Sequence, residues 1–364
     1  MSSARQLVAA LRDPASVQSL SGEGWTALIT IARAEQLLGT LACKLQGMDM
    51  PPPIAAALAD ARLNVEYQHR SALWEADCAR RALSEYPGAV VLLKGTAYVA
   101  AGLRAGEGRH IGDLDILVAA DGLPEAEAAL TGNGGWEWVK EDAYDDAYYR
   151  DHMHELPPLI HKERDRMIDV HHTILPLTAR PKPDAAAMLQ DAIPLPPAGG
   201  VRVGQAYTAD KNPPPAPPAT GRGELFVFTP EDMACHCAAH LMADGDLTGG
   251  LRNLWDYHCL TQEFAEQTTD FWAQLERRAS HHQLLPAVQR AARVSAHLFG
   301  TEIPPAWRKA HWQDGYYSRR LLARDEWGRG THKFTRLLFY IRSHWLRMPP
   351  AMLARHLWTK WRKG

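Results

Sequence analysis

The chain has few of the features that mark secreted or membrane-spanning proteins. Its 364 residues include only five cysteines, an odd and scattered set that does not form the pattern of a disulfide framework. No run of about twenty apolar residues is present, as a membrane-spanning helix would need. The first residues also lack the apolar core of a signal peptide. These absences predict a reduced, cytoplasmic protein.

An excess of one charge is also missing. The formal net charge is −2, so the chain has no overall basic field that would attract nucleic acid. We therefore expect a small-molecule or protein substrate rather than the template of a processive polymerase. Three common signatures are absent from the sequence as well: the phosphate-binding P-loop, the dinucleotide-binding glycine fingerprint and the nucleophile elbow of hydrolases.

The most informative motif is a pair of aspartates, Asp113 and Asp115, in the otherwise apolar stretch 112–118. Successive side chains alternate in a strand, so both carboxylates are expected on one face. Two adjacent carboxylates repel each other unless a cation lies between them, and a divalent cation is the usual reason for such a pair. For this motif alone, an exposed pair at the end of a strand is an equally frequent explanation.

The segment upstream of the pair carries candidate phosphate-binding residues. An apolar strand is predicted over 89–93, and it ends at Lys94, Gly95 and Thr96 before a run with helical character. Free backbone N–H groups at such a strand-to-helix turn suit a phosphate, and a lysine adds a point charge. The glycine-rich loop that follows contains Arg109, a second cation that could reach an anionic ligand.

The segment downstream of the pair predicts another strand, over 166–174, in which Asp169 and His171 share one face. A carboxylate within such a strand is costly to bury unless it is paired or bound to metal. His171 could orient that carboxylate, or it could be an ordinary hydrogen-bonded strand histidine. Residues 148–160 are expected to form the hairpin partner of this strand, with a turn at 162–165.

Together these segments resemble the polymerase-β-like nucleotidyltransferase superfamily, which has a strand, a Gly-Thr or Gly-Ser turn, a D-x-D strand and a later strand with one aspartate. More narrowly, they are similar to a bacterial group of nucleotidyltransferases known by that name alone. The similarity is specific over 89–175 and continues as a looser pattern through His240 to Asp256. It implies an α+β fold, with a polymerase-β-like mixed β-sheet core flanked by helical N-terminal and C-terminal regions. Lys94 departs from the superfamily pattern, which often has two small residues after the first strand.

The resemblance implies metal-dependent transfer of a nucleoside monophosphate from an NTP, expected to be ATP, to a hydroxyl group, with release of pyrophosphate. It implies three catalytic and metal-binding carboxylates: Asp113, Asp115 and Asp169. Two Mg²⁺ ions are expected there, with Mn²⁺ as an alternative, because these ions prefer oxygen ligands and can clamp both the attacking and the leaving oxygen. Asp169 could also act as the general base.

The remaining site residues that the resemblance implies would bind the nucleotide or the acceptor. The nucleotide-binding set is Lys94, Gly95, Thr96 and Arg109. Three histidines could contact the acceptor or support the carboxylates, namely His154, His171 and His240. The pattern does not specify the acceptor, the preferred base or the oligomeric state.

Composition divides the chain into four predicted regions. Residues 1–86 form an N-terminal helical region, 87–178 the nucleotidyltransferase catalytic core and 225–364 a C-terminal helical domain. Between 181 and 218 the chain carries ten of its 25 prolines, so 179–224 is predicted to be a Pro-rich linker or loop. Thr229 and Pro230 form a typical helix start.

The C-terminal tail is basic and rich in tryptophan. From Thr331 onward it contains eight Lys/Arg and no Asp/Glu. Such a tail could bind an acidic partner or an anionic membrane surface. The simpler explanation is a pair of helices that pack their aromatic side chains on the domain while the arginines stay solvated.

Three functions fit these patterns. The first is a metal-dependent nucleotidyltransferase that acts on a non-polymeric acceptor. The second is a non-catalytic nucleotide-binding or adaptor protein that keeps the fold, for which the loss of one carboxylate would be expected. The third is a protein-modifying nucleotidyltransferase of the toxin–antitoxin type, whose acceptor is a side-chain hydroxyl. The intact set of three aspartates favours the first and the third over the second.

Overall fold

A computed structural model of the chain describes residues 3–139, 143–195 and 223–347, together with positions 358 and 362. The described residues contain one seven-stranded mixed sheet in the order β3-β4-β5-β2-β1-β7-β6. The strands are β1 (Val90–Leu92), β2 (Leu114–Leu117), β3 (Trp136–Trp138), β4 (Leu159–His161), β5 (Met167–His171), β6 (Ile193–Pro194) and β7 (Leu225–Val227). The predicted α+β class with a mixed sheet is confirmed.

Helices precede, interrupt and follow the sheet. They are α1 (Ser3–Arg12), α2 (Gly22–Ala34), α3 (Leu38–Lys44), α4 (Pro52–Ala82), α5 (Lys94–Ala100), α6 (Leu123–Thr131), α7 (Ala143–His152), α8 (Ala185–Gln190), α9 (Pro230–Ala238), α10 (Gly250–Gln267), α11 (Phe271–His281), α12 (Leu285–Phe299), α13 (Asp314–Leu321) and α14 (Lys333–Arg347). The helical character predicted on both sides of the core is therefore present. Helix α9 starts as expected, since the Thr229 side chain accepts a hydrogen bond from the Asp232 N–H and Pro230 is the first helical residue.

The centre of the sheet determines where the predicted site lies. Strand β2 runs parallel to β5, and Asp115 lies opposite Asp169 in this register. On its other side, β2 pairs antiparallel with β1, which places Leu92 opposite Ile116. All four residues of β2 are buried, as expected for a central strand that is covered on both faces.

The proline-rich region 179–224 differs from the predicted linker where it is described. Asp184 caps the short helix α8, and β6 pairs antiparallel with β7. Strand β7 in turn runs parallel to β1, so the sheet continues past the predicted end of the core at 178. The reason is long-range pairing: β7 supplies hydrogen bonds to one side of β1, and Pro194 is tolerated because β6 is an edge strand. Residues 196–222 lie outside the described residues.

The predicted hairpin before β5 forms with a shorter first strand. Strand β4 has three residues and pairs antiparallel with β5, whereas the earlier part of 148–160 belongs partly to α7. The turn lies at the predicted position, and Asp165 adopts a positive φ of 52° within it. Only the last residues of the predicted strand therefore form a regular strand of the sheet.

Helix α14 is the described part of the basic tail. Phe339 is buried, whereas Phe334 is 72% exposed. Four more apolar side chains of this helix are exposed in the same way, namely Leu337, Leu338, Ile341 and Trp345. Their spacing of three or four residues places them on one face, so the described helix does not pack all its aromatic side chains on the domain. Among the described residues, no helix has both the length and the apolar character needed to cross a bilayer.

Candidate functional site

The three predicted carboxylates meet at one point of the sheet. Asp115 and Asp169 are paired residues of adjacent parallel strands, so their side chains lie next to each other on one face. Asp113 lies two residues earlier, just before β2 begins. One carboxylate oxygen from each of the three side chains lies within 4.8 Å of the other two. The D-x-D pattern and the later strand aspartate therefore form a single cluster.

Lys94 contacts this cluster from the start of the neighbouring helix α5. It is the first residue of α5, two positions after the end of β1, and its Nζ donates a hydrogen bond to Asp115 Oδ1 at 2.6 Å. Lys94 adopts a φ of +48°, a left-handed conformation that costs about 1 kcal/mol or more for a residue with a side chain. In this structure the predicted phosphate-binding ammonium is thus paired with a carboxylate of the cluster.

His171 supports the same carboxylate. Its Nε2 lies 3.0 Å from Asp115 Oδ1, and its side chain is fully buried. The strand pattern predicts His171 on the face of Asp169, as a residue that could orient that carboxylate. The structure instead gives it Asp115 as a partner, so Asp115 is fixed by an ammonium and an imidazole together.

The three carboxylates differ strongly in electrostatic environment. Burial acts to raise the pKa of Asp115, but the Lys94 charge and the His171 hydrogen bond hold it well below its usual range. Burial and the charges of Asp115 and Asp113 raise the pKa of Asp169 to about 7. The pKa of Asp113 is also raised, by burial and by Asp115. Negative charge at the cluster is therefore only partly compensated by the protein, which is the condition under which a cation binds.

Comparison with known proteins agrees with this geometry. Residues 21–300 match the sequence profile of a family described as "Uncharacterised nucleotidyltransferase". The chain belongs to this nucleotidyltransferase family. The match extends from α2 to the end of α12 and so includes the whole carboxylate cluster. No curated protein and no solved structure matches the chain.

Arg109 is held in a buried ion pair. Its Nε donates to Asp256 Oδ2 on α10 at 2.9 Å, and the two side chains are 13% and 2% exposed. Its guanidinium also lies 5.5 Å from the centre of the Tyr98 ring. Asp256 receives a second, longer contact from Arg252, at 3.5 Å. This ion pair thus connects the glycine-rich loop to the C-terminal helix α10. The predicted contact of Arg109 with nucleotide remains a prediction.

Gly95 and Thr96 lie in the closely packed first turn of α5. An added Cβ on Gly95 would collide with the Arg109 guanidinium and lie 3.3 Å from Ile111. Glycine is needed here because the arginine occupies the space of a side chain. Thr96 is almost fully buried, so its hydroxyl does not face solvent. The assignment of both residues to phosphate binding remains a prediction.

The three predicted histidines lie together beside Asp115. The ring centroids of His154 and His171 are 5.1 Å apart, and those of His154 and His240 are 5.9 Å apart. His240 is carried by a π-helical turn, Ala239–Asp244, that continues α9. Irregular turns of this kind inside helices are frequent at functional sites. Burial lowers the pKa of His154 to about 2 and also lowers that of His171, so both rings are neutral near pH 7.

Two members of this surrounding shell were missed by the sequence patterns. His236 lies 4.7 Å from His240 between ring centroids, and no sequence motif marks it as a site residue. Glu155 pairs with His171 through an isolated β-bridge. It lies outside any regular strand, so no alternation of apolar and polar residues marks it. The neighbouring Cys237 has a partner elsewhere, since its Sγ donates a hydrogen bond to the Asn253 carbonyl at 3.3 Å.

Proposed function

We propose that this nucleotidyltransferase transfers a nucleoside monophosphate from an NTP, with ATP the expected donor, to a hydroxyl group of a small molecule or a protein. The observation that supports this proposal is the register of β2 and β5, which sets Asp115 beside Asp169 with Asp113 within reach of both. An adaptor that had lost the chemistry would not need all three carboxylates at one point.

The donor set fits an oxygen-preferring divalent cation. Three carboxylates can bring ligand oxygens together at a single point, and Mg²⁺ or Mn²⁺ favours such ligands. The raised pKa of Asp169 indicates that negative charge accumulates there without a sufficient partner. When bound, a divalent cation would lower the pKa of the acceptor hydroxyl and stabilise negative charge on the phosphates.

Asp169, Asp115 and Lys94 have different roles in the proposed transfer. The acceptor oxygen attacks the α-phosphorus, the bond from that phosphorus to the β-phosphate oxygen breaks, and pyrophosphate leaves. Asp169 accepts the hydroxyl proton, a role that its position beside Asp115 allows. Asp115 stays ionised because Lys94 and His171 hold it, so its orientation is set before substrate binds. The Lys94 ammonium also supplies positive charge beside the place proposed for the phosphates.

The experiment that tests this function is calorimetric titration of each NTP with Mg²⁺ and with EDTA. Asp115→Asn and Asp169→Asn are expected to abolish the Mg²⁺-dependent binding, because each removes one of the three carboxylate ligands. Asp121→Asn serves as the matched control, since Asp121 is an exposed acid four residues after the end of β2. The nucleotide that binds is then supplied with an α-phosphate label, and labelled products and pyrophosphate are followed.

Two results would contradict the proposal. One is that no NTP binds to the wild-type protein in the presence of Mg²⁺. The other is that binding persists equally in Asp115→Asn, Asp169→Asn and the control. Label that appears on the protein itself would identify a protein hydroxyl as an acceptor.

A further inference from the structure

A second set of metal-ligand side chains lies directly beside the carboxylate cluster. It consists of His154, Glu155 and His171, and one ligand atom from each lies within 4.8 Å of the other two. Glu155 Oε2 is 3.7 Å from His154 Nε2 and 3.5 Å from His171 Nε2. The acidic group therefore stands between two imidazoles, and we call these three residues the His–Glu–His cluster.

The cluster combines elements that are separate in the sequence. His154 and Glu155 lie between α7 and β4, whereas His171 ends β5. The Glu155–His171 bridge brings the backbones together, and the His172 N–H donates to the His154 carbonyl at 2.9 Å. Backbone pairing thus fixes the positions of all three side chains, which is a requirement for a preorganised site.

The imidazoles of the cluster are buried and incompletely bonded. The side chain of His171 is 0% exposed and that of His154 is 7% exposed. Within the described part of the chain, Nδ1 of each ring makes no hydrogen bond. The ring atoms that approach Glu155 are the two Nε2 atoms, so these are the atoms that would bind a metal ion.

We infer that the His–Glu–His cluster is a second cation site, selective for a nitrogen-binding divalent transition metal such as Zn²⁺. Two neutral imidazoles and one carboxylate are typical ligands of Zn²⁺. Mg²⁺ prefers oxygen ligands and retained waters, so this donor set disfavours it. The site is therefore chemically distinct from the all-carboxylate cluster, and the inference does not depend on the proposed transfer reaction.

Asp115 connects the two sites. Its Oδ1 accepts from Lys94 at 2.6 Å and lies 3.0 Å from His171 Nε2, while it also belongs to the carboxylate cluster. A cation bound at His171 Nε2 would replace the hydrogen bond from this ring to Asp115, a carboxylate that the other site uses. Occupation of one site is therefore expected to change the affinity of the other, with reciprocal size.

The test is a titration of the metal-free full-length protein with Co²⁺, whose visible absorption reports nitrogen ligands, followed by displacement with Zn²⁺. We expect one Co²⁺ per chain to give this absorption, Zn²⁺ to remove it and a large excess of Mg²⁺ to leave it. Glu155→Gln and His154→Asn should each weaken Co²⁺ binding at least tenfold, because each removes one of three protein ligands. Thermal unfolding of each variant checks that it is folded.

Two further variants make the assignment specific. Asp169→Asn removes a ligand of the carboxylate cluster only and should keep the cobalt absorption. His172→Gln removes a neighbouring histidine whose side chain is not part of the cluster and should also keep it. The inference is overturned if Co²⁺ gives no nitrogen-type absorption, if Glu155→Gln and His154→Asn bind like wild type, or if the absorption is lost in Asp169→Asn instead.

Discussion

The buried contact between Arg109 and Asp256 gives the sharpest test of what holds the candidate site in place. Asp256 is 2% exposed and neutralises Arg109, which is 13% exposed. It also lies 3.5 Å from the guanidinium of Arg252, which is 4% exposed. Replacing Asp256 by Asn leaves two buried guanidinium groups without an anionic partner among these contacts.

The expected loss is large because the charges are not solvated. Removing one partner of a buried ion pair costs about 3–5 kcal/mol, whereas the total stability of a domain is about 5–15 kcal/mol. Burial and the charge of Arg109 lower the pKa of Arg252 to about 10, although Asp256 opposes the shift. Without Asp256, both arginines would repel each other in the interior.

The chain offers a matched control on the same two elements. Arg104 and Glu266 also connect the glycine-rich loop to α10, but their side chains are 50% and 57% exposed. Exposed pairs contribute about 0–1 kcal/mol because water already stabilises the separated charges. Glu266→Gln should therefore change stability little, although the pair joins the same loop to the same helix.

The assay is urea unfolding followed by tryptophan fluorescence and circular dichroism. Asp256→Asn should lower the unfolding free energy by about 3–5 kcal/mol, and Glu266→Gln by less than about 1 kcal/mol. Equal losses in the two variants, or a loss below about 1 kcal/mol in Asp256→Asn, would refute the claim that burial makes this pair essential.

Three further predictions follow from individual contacts. Gly95→Ala should destabilise the protein by about 1–3 kcal/mol, measured by urea unfolding, because the new Cβ meets the fixed Arg109 guanidinium; unchanged stability would show that the arginine moves freely. Burial acts to raise the pKa of Asp232, but its hydrogen bonds and the charge of Arg278 outweigh this and lower it. The stabilisation by this carboxylate should therefore be complete above about pH 4 and be lost as the pH falls further. When the unfolding free energy is measured in urea at a series of pH values, Asp232→Asn should lose less stability than wild type as the pH falls below about 4. Equal losses in the two proteins would contradict the assignment. Lys94→Ala should weaken Mg²⁺-dependent NTP binding at least tenfold in calorimetry, since it removes the only cation bonded to the carboxylate cluster in the described structure, and wild-type affinity would exclude a role in nucleotide binding.

The carboxylate cluster was accessible from the sequence because its determinants are local. Alternation in the strand predicted over 112–118 sets Asp113 and Asp115 on one face, and an aspartate in a later apolar strand is expected in the same sheet. The helical regions and the α9 start likewise follow from periodicity and capping. These patterns do not predict the parallel register that places Asp169 opposite Asp115.

The partners of the site residues depend on contacts between distant parts of the chain. Asp256 lies 147 positions from Arg109, so no local pattern links the loop to α10. The position of Lys94 after a strand predicts phosphate binding, whereas the pairing of β1 with β2 brings its ammonium group to Asp115. Glu155 lies between regular elements, where sequence periodicity carries no signal. Strands β6 and β7 are not predicted from the sequence either, because they are short and adjoin proline-rich segments that indicate a loop.

The strand order has a consequence for synthesis on the ribosome. Strand β1 has its parallel partner β7 at Leu225–Val227, and Arg109 has its counter-charge only at Asp256. The D-x-D strand therefore leaves the ribosome well before β7 and α10, which complete its surroundings in the folded protein. Until α10 is synthesised, Arg109 has no carboxylate partner and must stay solvated. Because such non-local pairing is slow and leaves sheet edges exposed, a chain that stops short of α10 is expected to contain the three clustered carboxylates and yet fail to fold around them.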